Sequence, residues 1–222
     1  MALIIPGINT TNEAQYEKML RMAEHVADLI QVDIGDGKFT PAETLGPETI
    51  ARFPSSRNLE IQLMVFHPLV YVDKLTTLPF VSRILFPIEC KDDHKEVIYR
   101  IKSHNMIVGI SLNPETPVFS IVPLLDYIGY MQFLANNPGP SGQTLRVETY
   151  ERIREIKQID PSLPVEVDIG VNFETAPKLV SAGADFLVST STIFNAPDFY
   201  VAYEKLSKLA EVKAKNEMKL GM

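Results

Sequence analysis

Two aspartates stand in near-identical settings far apart in the chain. Asp33 lies in Gln31-Val32-Asp33-Ile34-Gly35, and Asp168 lies in Glu166-Val167-Asp168-Ile169-Gly170. Each sits near the end of a short β-branched run. A carboxyl there is costly to bury unless it is paired or used. Two such groups aimed at one space can do general acid–base chemistry, one taking a proton while the other gives one. The structural alternative is that each caps a loop or pairs with a lysine such as Lys38. Amides fall in the same alternating registers. Gln31 shares a strand face with Asp33, Gln62 with Met64 and Gln132 with Asn136, while Asn9 closes the first strand. These residues are candidates to bind a substrate between the aspartates.

A second set suits an anion. Asn137-Pro138-Gly139-Pro140-Ser141-Gly142-Gln143 is rich in turn formers, Gly170 turns a strand toward a helix, and Ser189-Thr190-Ser191-Thr192 ends another strand. Backbone N–H groups at such strand-to-helix turns hold phosphate without arginine. Gly139, Gly142, Gly170, Thr190 and Ser191 are the candidate phosphate contacts.

Positioning these groups requires a regular frame. Short apolar runs predict strands at Leu3 to Asn9, Leu29 to Gly35, Glu60 to Val65, Arg83 to Glu89, Ile107 to Asn113, Tyr130 to Asn136, Val165 to Ile169 and Phe186 to Thr190. Helical spacing marks Asn12 to Asp28, Asp92 to His104, Arg146 to Ile159, Asn172 to Ala182 and Ala196 to Met218. Shorter helices are expected at Pro47 to Phe53, Pro68 to Leu78 and Val118 to Leu124. Asn172 is read as an N-cap and Gly183 as a helix stop. Strict strand–helix alternation implies a parallel sheet. Eight repeats point to a single α/β (β/α)8 TIM barrel over residues 1–222, with an open doubly wound sheet as the alternative. In such barrels chemistry sits at the C-terminal strand ends, with phosphate on the loops after strands seven and eight.

The bulk composition fits. The chain has 222 residues, 45% hydrophobic and 22% charged. A net charge of −7 and pI near 5.2 weigh against nucleic-acid and anionic-membrane partners. Cys90 is the sole cysteine, so no internal disulfide or cysteine metal cluster is expected. The opening apolar run is too short for a signal or membrane segment, so a cytoplasmic protein is expected. The lysine-rich stretch Lys205 to Lys219 reads as the solvated face of the last helix.

On its motifs the chain resembles the ribulose-phosphate 3-epimerase family. The matching segments are QVDIGDGKFTPAETLGP, QLMV, GISLNPETP, NPGPSGQ, EVDIGVN, AGAD and STIF, running from about Pro6 to Phe194. The resemblance implies that Asp33 and Asp168 are the two acid–base carboxylates acting on opposite faces of a sugar carbon. It also implies a small sugar phosphate as partner and a homo-oligomer. The family uses a divalent metal held by the aspartates and two histidines. Here Gln31 and Gln62 replace the histidines, so no tightly bound metal or other cofactor is expected. Further departures are Gly7 for a serine, Gly35 and Leu134 for methionines, Ile169-Gly170 for a double glycine and Thr190-Ser191 for a glycine–serine pair. His25, His67, His94 and His104 lie on expected helices or loops and replace neither ligand.

Three readings follow. The protein epimerises a ketose phosphate without tight metal, Gln31 and Gln62 hydrogen-bonding the enediolate. Alternatively it is a lyase or decarboxylase on a related sugar phosphate, or it binds a phosphorylated ligand without turnover.

Overall fold

Eight parallel strands close into a barrel in sequence order in the computed structural model, which describes residues 1–139 and 141–211. The strands are β1 (Leu3–Ile8), β2 (Leu29–Gly35), β3 (Asn58–Met64), β4 (Val81–Pro87), β5 (Ile107–Leu112), β6 (Tyr130–Leu134), β7 (Val165–Asp168) and β8 (Phe186–Ser189). Closure is made by β1 on β8, with Leu3 beside Phe186 and Pro6 beside Ser189. The helices are α1 (Glu13–Glu24), α2 (Pro47–Arg52), α3 (Leu69–Leu75), α4 (His94–Lys102), α5 (Thr149–Ile159), α6 (Ala176–Ala182), α7 (Ser191–Phe194) and α8 (Phe199–Glu211). A 3-10 helix, Val118–Tyr127, stands between β5 and β6 with Pro123 inside it. Pro123 lacks the N–H that a continuous α-helix would need there. The expected TIM barrel is therefore the observed fold.

Local chemistry sets the element ends. Asn12 caps α1 by accepting from the Gln15 N–H at 2.9 Å, and Asp93 caps α4 through the Glu96 N–H at 2.9 Å. Gly183 ends α6 with φ 117°, a left-handed stop. Asn172 does not cap α6 directly. Its Oδ1 accepts from the N–H groups of Glu174 and Thr175 at 2.9 and 3.0 Å, and the regular helix begins only at Ala176. The single turn α7 was not expected, because four residues are too few to show a period. Of the last expected helix, the part beyond Glu211 and most of its lysine-rich stretch lie outside the described residues. No helix among the described residues is long and apolar enough to cross a membrane.

The main core lies between strands and helices. Outward residues such as Ile30, Val32, Ile34, Ile61, Leu63, Phe86 and Phe133 pack against Tyr16, Leu20, Ile50, Val72, Val97, Ile153 and Leu179. The barrel interior is different. A small apolar group, Ile5, Leu29, Val188 and Phe186, is followed by polar layers. Glu60, Glu166 and Tyr130 are wholly buried, and the Arg83 guanidinium lies 3.5 Å from Glu60 and stacks over the Tyr130 and Phe186 rings. Tyr130 fits because Gly109 faces it; a Cβ there would meet the ring at 2.4 Å. Burial, and then the charge of Glu60, pushes the Glu166 carboxyl well above the usual range.

Above these acids three wholly buried amides form a closed ring. Gln31 Nε2 donates to Gln62 Oε1 at 2.6 Å, Gln62 Nε2 to Gln132 Oε1 at 2.9 Å, and Gln132 Nε2 to Gln31 Oε1 at 2.9 Å. Gln132 also donates to Glu166 at 2.8 Å. An apolar residue at any ring position strands the other two. Gln132→Leu should therefore cost at least about 1–3 kcal/mol, the penalty of one unsatisfied buried polar group. Urea unfolding checks this: the midpoint should fall with an unchanged m value, and an unaltered midpoint would show that the ring contributes nothing.

Candidate active site

The ring supports the two aspartates at the C-terminal mouth. Asp33, at the third-last position of β2, keeps only 6% of its surface, and Asp168, the last residue of β7, keeps 8%. Asp33 Oδ1 accepts from Gln31 Nε2 at 2.9 Å and its Oδ2 from Asn9 Nδ2 at 3.0 Å. Asn9 also reaches the Gly139 carbonyl at 3.3 Å, joining β1 to the loop after β6. Thr44 fixes the strand end by donating to the Asp33 carbonyl at 2.8 Å. Asp168 Oδ1 accepts from the N–H of Ile169 at 2.7 Å. Asp33 does not pair with Lys38, so the structural alternative of a lysine partner does not hold for it.

Burial raises both carboxyls. The Asp33 carboxyl is pushed well above the usual aspartate range by desolvation and then by the charge of Asp168; its amide donors oppose the shift. The Asp168 carboxyl is pushed up to about 6, mainly by desolvation, with the Ile169 N–H and Gln62 opposing. Two like charges this deeply buried cannot both ionise readily. The site therefore favours one carboxylic acid and one carboxylate near neutral pH.

The amide ring accommodates that state. Three amides in a ring can run in either sense, because oxygen and nitrogen exchange places when all turn together. In the reversed sense one Gln62 N–H donates to Gln31 within the ring, and the other faces both Asp33 Oδ1 at 3.0 Å and Asp168 Oδ2 at 3.2 Å. Gln31 and Gln132 then turn oxygens toward Asp33 and Glu166, the two carboxyls raised well above their ordinary values. That sense matches a protonated Asp33 and Glu166 with an ionised Asp168.

A cavity opens over the aspartates. Asn9, Asp33, Met64, Gly139, Gly142, Asp168, Gly170, Thr190 and Ser191, all singled out from the sequence, line it together. Gln31, Gln62 and Gln132 do not line it. They lie beneath, and Gln31 and Gln62 spend their amides on each other and on the aspartates rather than on a ligand. Asn136 lies past the end of β6 and holds the following loop, donating to the Thr144 carbonyl at 2.9 Å and accepting from Arg146 at 3.3 Å. Ser141, Ile169, Val171 and Val188 also line the cavity and were not singled out. The signal for Ser141 was its place inside the glycine-rich loop. Ile169 was noted only as standing where the family has the first of two glycines, and nothing in the sequence marked Val171 or Val188.

The far end of the cavity is lined by glycines and hydroxyls, with no arginine or lysine among the described residues. Gly142 and Gly170 have φ of 88° and 75°. A Cβ on Gly170 would lie 2.5 Å from the Leu145 nitrogen, so only glycine fits. Backbone N–H groups and the hydroxyls of Ser141, Thr190 and Ser191 are the donors available to an anion. Two departures from the family pattern compensate one another. A Cβ on Gly7 would lie 2.7 Å from Thr190 Oγ1, so the β8 hydroxyl fills the space of a β1 side chain.

The donor set does not fit a tightly held zinc-like ion. Two carboxylates face two amides whose oxygens and N–H groups are tied into the ring. Neutral amide oxygens are poor partners for such an ion beside imidazole. The histidines are elsewhere: His67 pairs with Asp92, His94 bonds the Ile88 carbonyl, His25 meets Tyr200 and His104 meets Ser103.

Solved structures share the fold at low identity. Orotidine 5′-phosphate decarboxylase from Pyrococcus horikoshii OT3 superposes with TM-score 0.68 at 13% identity, covering 95% of this chain and 100% of that one. Mycobacterium tuberculosis tryptophan synthase gives 0.69 at 15%, covering 95% and 93%. Sequence relatives are nearer. The chain is 30% identical to ribulose-phosphate 3-epimerase of Schizosaccharomyces pombe, with 88% of each chain covered. It is 35% identical to the cytoplasmic isoform of that enzyme from Oryza sativa subsp. japonica, covering 83% and 82%. It is 36% identical to the Helicobacter pylori (strain J99) enzyme, covering 83% and 88%. The model of the ribulose-phosphate 3 epimerase family matches residues 3–194, and with it the barrel and both aspartates, so the chain belongs to that family.

Proposed function

We propose that this protein is an isomerase that epimerises ribulose 5-phosphate, or a near relative, at the carbon beside the ketone, without a tightly bound metal. The observation that carries the reading is the pair of buried carboxyls in one cavity, held in unequal environments by the amide ring. Asp168, the less strongly raised, is the base and Asp33 the acid. Asp168 takes the proton from the carbon beside the carbonyl, and the C–H electron pair moves into the enediolate. Asp33 then delivers its proton to the opposite face of that carbon. The products of the step are a protonated Asp168 and an ionised Asp33. The reverse reaction, or exchange with solvent, resets them. The glycine and hydroxyl end of the cavity holds the phosphate and so fixes which carbon lies between the carboxyls.

Asn9 and the ring set the orientation of Asp33 and carry no formal charge. Neutral donors stabilise a developing enediolate less than a dication does, which points to a slower enzyme than a metal-loaded one.

Asp33→Asn and Asp168→Asn should each lower kcat by about 10²–10⁴. In deuterated water the wild-type protein should wash deuterium into the carbon beside the ketone. A wild-type protein showing neither exchange nor epimerisation, with or without added metal, would overturn the reading. Epimerase activity should persist in chelator, with far less than stoichiometric zinc in the purified protein. Activity lost to chelator and restored by zinc would instead return the metal to the mechanism.

The pH dependence follows from the same pair. kcat/KM should rise as Asp168 ionises near pH 6 and fall again where Asp33 loses its proton. Stability runs the other way. A carboxyl raised on folding from 3.8 to about 6 stabilises the fold below pH 4, and that contribution is lost as pH rises to about 6. Asp168→Asn should flatten that part of the unfolding profile and be at least as stable as wild type at pH 7. An unchanged profile would show that Asp168 is not buried as an acid.

A further inference from the structure

Ile169 is a β-branched residue with φ 75°, directly between Asp168 and Gly170. That conformation suits glycine and strains a side chain branched at Cβ. Glycine could follow the same backbone path and present the same N–H to Asp168 Oδ1 without strain. Gly170, with the same φ, is fixed as glycine by the Leu145 backbone. No backbone requirement calls for a side chain at 169. Ile169 itself lines the cavity, an aliphatic wall residue between Asp168 and Gly170.

Position decides what this wall does. Asp168 faces the reacting carbon, and Gly170 belongs to the anion-holding end. Ile169 therefore borders the stretch of cavity that must hold the carbons linking the two. We propose that Ile169 is a specificity-determining residue that gauges the number of carbons between the reacting carbon and the phosphate, favouring a five-carbon ketose phosphate over a six-carbon one. The inference rests on the proton-transfer reading above for the placement of the reacting carbon. Ile169 borders the C–H edge of that linker, and an added carbon competes with its side chain for room.

The test compares Ile169→Ala with Ile169→Gly. Both remove the wall, and only the glycine variant relieves the strain. The glycine variant should melt about 2–4 °C above the alanine variant, the shift expected for strain relief in a chain of this size. Binding of a five-carbon alditol 5-phosphate and a six-carbon alditol 6-phosphate is measured by calorimetry, which needs no turnover. Wild type should prefer the five-carbon ligand by tenfold or more, and both variants should reduce that preference at least fivefold. An unmoved preference in both variants overturns the gauge. A glycine variant no more stable than the alanine one overturns the strain on which the argument stands. Loss of turnover in the wild type with these binding ratios intact would sink the proposed epimerase activity and leave the gauge standing.

Discussion

The closed hydrogen-bonded ring of Gln31, Gln62 and Gln132 is the interaction on which the rest of the site depends. A barrel of this kind ordinarily fills its interior with branched apolar side chains. Here three amides from β2, β3 and β6 meet at the centre and satisfy one another. Each reaches across the interior, so the ring ties distant strands together. Below it lie two acids, Glu60 and Glu166, and above it lie two more, Asp33 and Asp168. An apolar layer at this level would take the Gln31 donor from Asp33 and the Gln132 donor from Glu166.

The ring also links the proton states of the upper and lower pairs. In one sense Gln31 and Gln132 donate to Asp33 and Glu166; in the other they accept from them, and Gln62 turns its remaining N–H toward the Asp33 and Asp168 carboxyls. The direction of the amides and the placement of the protons are thus one property. In the metal-free mechanism proposed above, oriented dipoles take the place of charge at the centre of the site, and they need further groups beneath to hold them. Glu166, through Gln132, is such a group.

Compensation runs through the mouth as well. The Thr190 hydroxyl occupies the space that a Gly7 side chain would need, and the Thr40 hydroxyl lies 2.6 Å from where a Gly35 Cβ would be. Gly7 and Thr190, which look like isolated departures from the family pattern, are paired across the β1–β8 seam. Ile169 stands apart, a β-branched residue at φ 75° that lines the cavity.

The sequence by itself determined the barrel, because strand and helix periods are local and each inward polar residue interrupts an apolar run. Asp33, Asp168 and the glycine loops were legible for the same reason: they break a pattern at strand ends. What Gln31 and Gln62 do was not legible. Alternation along a strand tells which face a side chain takes, but not which of several inward groups it meets across the barrel. Gln132 was marked as inward, yet only closure of the barrel brings β6 to β2 and β3 and consumes amides that the sequence left free for a ligand. Asn136 shows the converse, since β6 ends two residues earlier and its side chain turns into the loop. The conformation of Ile169 was signalled only by its place in a double-glycine position, because a φ of 75° is no preference of isoleucine.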